Sequence, residues 1–224
     1  MKPGFRFTVT GIVLPTGRDS GLALAMCGHG NMPSRMKTPI ACLLIAGSSS
    51  AAAASYDSWE WTLESGWLGQ VGNNTDAEYE IIPTQLTLRS PVVWTWWQDD
   101  AGSQIIVRHR FSALYGTIIQ GPEDYHLGFN AAPSIEYWLP SRKTSVFFSI
   151  GGGAGWINSA GGTDGQGQDL TFNWFSQLGL RQEISEKIAL LGGLYFIHHS
   201  NLGMTDPNPG IDALGFTLGV GWTF

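Results

Sequence analysis

Near the C-terminus, the stretch from Phe196 to Asp212 gathers a hydroxyl, an imidazole, a carboxylate and two amides: His198, Ser200, Asn201, Asn208 and Asp212. A serine whose proton is taken by a histidine, with the histidine oriented by an acid, is the arrangement that performs acyl transfer. Ser200 is the candidate nucleophile, His198 the candidate base and Asp212 the candidate acid. Asn201, Asn208 and the loop N–H groups could supply donors to an oxyanion. His198 and Ser200 stand two apart. On a β-strand that spacing puts both side chains on one face, with Cα atoms roughly 6.6 Å apart, a gap an imidazole can span.

The elements that must hold these groups are strands. Aromatics are plentiful and charges sparse at 13%, against about 25% in an ordinary soluble domain. Segments of alternating character recur along the chain instead of one long apolar run, the weak repeated signal of a transmembrane barrel. Eight strands are predicted, over about 58–69, 80–97, 104–118, 125–138, 145–156, 170–182, 188–200 and 211–224. Pro83 and Pro91 weaken the second, because each removes a ladder donor. The last is the clearest. Leu214, Phe216, Leu218, Val220, Trp222 and Phe224 share one parity, and Ala213, Gly215, Thr217, Gly219, Gly221 and Thr223 the other. The bulky set suits lipid, and the small set suits a narrow interior. The expected fold is therefore all-β, an eight-stranded antiparallel transmembrane β-barrel, with Arg108, Arg110, Glu136 and Arg181 turned into the lumen.

Residues 1–54 stand outside this pattern. Arg35 and Lys37 precede the apolar run of residues 40–46, and Ala52 to Ala54 form a small-residue cleavage site, the order of a secretory signal peptide. Met36 is the expected true start, preceded by an upstream extension, with cleavage near Ala54 and the barrel over 55–224. The apolar run falls well short of the roughly 20 residues of a membrane-spanning helix. Both cysteines, Cys27 and Cys42, lie in this leader, so thiol and disulfide chemistry are excluded from the remainder. Five of the 12 Lys and Arg and one of the 18 Asp and Glu also precede residue 55, which leaves a formal charge of −10 on the barrel. That balance argues against a nucleic-acid partner.

The links also alternate. Those at 98–103, 140–143 and 183–187 are short and polar, whereas those at 70–79, 120–124, 158–169 and 201–210 are mostly longer or rich in Gly, Asn and Asp. Outer-membrane barrels have short periplasmic turns and longer outer loops, so His198, Ser200 and Asp212 fall at the outer end. All three share parity with large apolar neighbours, which places them on the outside wall. A polar cluster there is costly unless it is paired or functional, and it would meet an acyl chain still lying in the bilayer. His199 has the opposite parity and reads as a lumen residue; His109 and His126 have no acid or serine at useful spacing.

The run from His198 to Asn201, the Pro207-Asn208-Pro209-Gly210 turn and the strand after it resemble the lipid A 3-O-deacylase (PagL) family of outer-membrane enzymes. The similarity is strongest over 191–224. It implies an eight-stranded barrel that removes the ester-linked acyl chain at position 3 of lipid A without metal or cofactor, with lipopolysaccharide as substrate and outer-membrane lipid as surround. A homodimer is among the assemblies open to it. Carried onto this chain, the resemblance makes Ser200 the nucleophile, His198 the general base and Asp212 the acid, with Asn201, Gly203 and Asn208 in the oxyanion region. The family pattern has Glu at the acid position, one methylene longer than Asp212. Two other readings stay open: a non-catalytic barrel with a structural or adhesive role, and a lipid acyltransferase.

Overall fold

The structure, a computed structural model, describes residues 56–72, 75–159, 161 and 165–224. The leader expected over residues 1–54 lies outside the described residues. Nine strands are present among them: β1 Glu60–Gln70, β2 Glu80–Arg89, β3 Trp94–Gln98, β4 Gln104–Gln120, β5 Tyr125–Trp138, β6 Thr144–Ile157, β7 Leu170–Glu183, β8 Ile188–Ser200 and β9 Ile211–Thr223. They pair in the order β2-β1-β9-β8-β7-β6-β5-β4-β3, and a further β2–β4 pairing closes the sheet. Every pairing is antiparallel. The result is an eight-stranded barrel in which β3 prolongs the β2–β4 hairpin below the closure.

The second strand expected over 80–97 is broken in two. Pro91 has no N–H for the ladder. Beside it, Ser90 turns its hydroxyl into the gap: Ser90 Oγ accepts from His109 N–H at 2.9 Å and donates to the Pro91 carbonyl at 2.7 Å. Pairing with β4 resumes at Trp94 opposite Val107. Pro83, by contrast, stays within β2, opposite Gly116 of β4.

The distribution of polarity is inverted relative to a soluble sandwich. Phe129 is 75% exposed, and Leu180, Leu194 and Leu218 also lie on the outer face. Arg89, Arg108, Arg110 and Glu136 are buried at 0%. Water would penalise that apolar wall and those interior charges alike; a hydrocarbon surround favours the first and leaves the second inside. At about 3.4 Å per residue and a tilt near 45°, a strand of 13 residues such as β9 rises roughly 30 Å. That is sufficient to cross the apolar core of a bilayer.

The lumen is filled in two storeys. At the short-turn end, Arg181 meets Glu60 at 2.7 Å and Glu183 at 2.9 Å, Arg89 meets Glu136 at 3.0 Å, and Arg108 approaches Glu60 at 3.6 Å. Gln177 Nε2 donates to Glu64 at 2.7 Å, and Trp138 Nε1 to Glu136 at 3.0 Å. Nearer the long-loop end the filling is apolar, with Leu68, Tyr79, Ile81, Ile118, Phe175, Tyr195 and Ile197 in one cluster. His126 and His199 face each other there, ring centroids 4.3 Å apart. Side chains occupy the interior, as an eight-strand barrel allows, so chemistry has to be sought on the wall and the rims.

Candidate active site

β8 and β9 form the hairpin that carries the polar stretch. Their register sets His198 directly opposite Asp212 and His199 opposite Ile211. Directly opposed residues have Cβ atoms about 4.5–5.5 Å apart, and two short side chains can close that distance. His198 Nδ1 and Asp212 Oδ1 are 2.7 Å apart. The aspartate therefore reaches the ring despite being one methylene shorter than glutamate. The pair is partly covered, at 24% and 20% side-chain exposure. With the Nδ1 proton directed to the carboxylate, Nε2 carries the basic lone pair.

On its other side His198 lies opposite Trp174 of β7. The rings are stacked, with centroids 6.1 Å apart and planes at 28°. Trp174 also packs on Phe196 at 4.8 Å. The imidazole is thus held between a carboxylate and an indole on the apolar wall. Trp174 was readable in the sequence as an outward residue of β7 but not as a neighbour of His198. The short turn after Glu183 contains that information, since a tight link fixes the register of the strands it joins.

Ser200, the last residue of β8, shares the strand face of His198 and is 9% exposed. Its hydroxyl makes no hydrogen bond among the described residues. Catalytic hydrogen bonds in unliganded sites are often long and tighten only with substrate.

The loop from Asn201 to Gly210 is organised by Asn201, which is fully buried. Its N–H donates to Asn208 Oδ1 at 2.8 Å, its Nδ2 to the carbonyls of Thr205 and Pro207 at 2.7 and 3.2 Å, and its Oδ1 accepts from Gly203 N–H at 2.9 Å. These bonds hold Leu202 in the left-handed region at φ 57°, a conformation that costs a non-glycine residue on the order of 1 kcal/mol or more. The Asn201 amide and the Gly203 N–H are therefore engaged within the loop. Asn208 presents its oxygen inward to Asn201 and keeps its Nδ2 as a donor. The loop docks on the β6–β7 connection through Gly167 N–H, which donates to Pro207 O at 2.8 Å.

Closed, charged within, apolar without, and with an imidazole–carboxylate pair on its wall, this is a transmembrane β-barrel of the outer-membrane type. Residues 58–221 match the family model described as Lipid A 3-O-deacylase (PagL), and the chain belongs to that family. It is accordingly an enzyme, a hydrolase of an ester bond of lipid A. No curated protein sequence matches it. Among solved structures, one titled "Crystal structure of the outer membrane enzyme PagL" is similar at 20% identity and a TM-score of 0.48, covering 73% of this chain and 99% of that one.

Proposed function

We propose that the protein removes the 3-O-linked acyl chain of lipid A at the outer leaflet by a Ser-His-Asp mechanism. Ser200 Oγ attacks the ester carbonyl as His198 Nε2 takes its proton. Asp212 holds the ring through Nδ1 and stabilises the imidazolium. Asn208 Nδ2 donates to the oxyanion, with Asn201 and Gly203 shaping the loop that presents it. The imidazolium then protonates the departing sugar oxygen. Water, deprotonated by the same nitrogen, releases the fatty acid and restores Ser200.

The observation that carries this reading is the 2.7 Å His198–Asp212 contact on the apolar outer face, with Ser200 on the same face one step along the strand. A wall site admits a substrate whose acyl chain stays in the bilayer while its ester reaches the rim. Ester hydrolysis within the family supplies the reaction class. Lipid A from cells expressing the intact protein should show the mass loss of one 3-hydroxyacyl chain, and cells expressing Ser200→Ala should not. Identical lipid A from both would sink the serine mechanism, and a gained acyl chain would indicate a transferase instead.

A further inference from the structure

A cleft of about 650 Å³ opens on the same rim, over the tops of β1, β2 and β4. Its frame is rigid. Gln70 N–H donates to Tyr79 O at 2.8 Å, and Tyr79 N–H returns to Gln70 Oε1 at 2.9 Å. Gln120 Nε2 donates to Glu78 Oε2 at 2.7 Å. Gly69 pairs with Glu80, and Glu80 with Gln120, so three strands meet at its floor.

The floor is an indole. Trp67 lies on the outer face of β1 and folds back over Gly69, where an added methyl would come within 2.7 Å of the ring edge. The absence of a side chain at Gly69 lets the ring lie close to the backbone, and Trp67 remains 40% exposed. Carboxylates and amides line the cleft with it: Glu80, Glu78, Asp76, Gln70 and Gln120. The cleft also adjoins the catalytic pair. Gly72 lines it, and a methyl on Gly72 would lie 3.9 Å from Asp212 Oδ2. Val71 N–H donates to the Asp212 carbonyl at 2.8 Å. From β8 to β1 is two strand spacings, roughly 10 Å.

We infer that this cleft is the subsite for the sugar of the substrate: a pyranose ring stacks on Trp67, and its hydroxyl and amide groups bond to Glu80, Glu78 and Gln120. An exposed aromatic side chain in a cleft lined by carboxylate and carboxamide groups suits a pyranose ring, whose C–H face is apolar and whose free hydroxyl and amide N–H groups are donors. The same carboxylates repel phosphate, so the anionic ends of the headgroup lie outside the cleft. The ester on that sugar then falls over β8 and β9, where Ser200 and His198 stand. This assignment rests on the hydrolase reading above and adds what orients the substrate.

The test compares two substrates in detergent micelles: lipid A, and p-nitrophenyl laurate, which has an ester but no sugar. Trp67→Ala should lower kcat/KM for lipid A about tenfold, mainly through KM, and lower the ratio of lipid A to p-nitrophenyl laurate turnover by a similar factor. Trp67→Phe, which keeps a ring, should recover most of the loss. Gly69→Ala, which lifts the indole without removing it, should reproduce the defect. An unchanged ratio in Trp67→Ala and Gly69→Ala overturns the subsite, because the indole then only supports the wall. Ser200→Ala, run alongside, reads the catalytic centre separately: activity surviving there refutes the hydrolase mechanism whatever the ratio shows.

Discussion

Asp212 reaches His198 because the two strands bring these residues face to face. The 2.7 Å contact engages one ring nitrogen, and on the proposed mechanism the other takes the serine proton. Asp212→Asn keeps the shape but removes the charge and can reverse the tautomer. We expect kcat to fall on the order of 10²- to 10⁴-fold, while the barrel keeps its heat-modifiable gel mobility. Equal rates would exclude Asp212 from proton transfer. Asn208 is held through its oxygen, which accepts from the Asn201 N–H, and on the proposed mechanism its Nδ2 serves the oxyanion. Asn208→Ala should lower kcat about 10²-fold with little change in KM, as loss of an oxyanion donor does. A change confined to KM would instead make Asn208 a binding residue.

At the level of elements, the catalytic hairpin is held from outside as well as within. Gly167 of the β6–β7 connection touches the backbone of Asp206 so closely that a methyl would lie 2.5 Å from its carbonyl oxygen. Gly167→Ala forces the Asn201–Gly210 loop away from its dock and with it Asn208. Deacylation should drop at least about tenfold with the urea midpoint almost unchanged, since surface-loop shifts leave the strand ladder intact. A lost midpoint with retained activity per folded molecule would show that the contact serves the barrel only. Ser90 plays the equivalent role for a weak strand, supplying with its hydroxyl the acceptor that the backbone beside Pro91 does not present.

Over the whole molecule, an apolar wall and a charged interior divide the labour. On the proposed mechanism, the wall allows a site that opens sideways into lipid. The interior makes the sheet stiff enough to hold residues of β7, β8 and β9 in register. Glu60 is central, bonded to Arg181 and close to Arg108. Glu60→Ala leaves Arg181 with Glu183 alone and Arg108 with only the more distant Glu136, and should destabilise the barrel by about 3 kcal/mol, read as a lower urea midpoint for unfolding in micelles. A neutral result would mean that the remaining carboxylates, Glu136 and Glu183, compensate fully.

The alternation of side chains is a local property with a period of two, so the chain alone determined which residues face lipid and which face the lumen. Strands β5 and β8 could be bounded to the residue because turn-forming sequences flank them. Parity likewise put His198, Ser200 and Asp212 on one wall. Register is not local. The Asn201–Gly210 loop is too long for its length to dictate pairing, so the contact of His198 with Asp212 was decided by the folded hairpin. The folded sheet then brought β1 beside β9, the Gly167 connection against the loop, and Gly72 close to Asp212. Those neighbours lie far apart along the chain, and only the hydrogen-bonded ring of strands, with its interior filled, could bring them together.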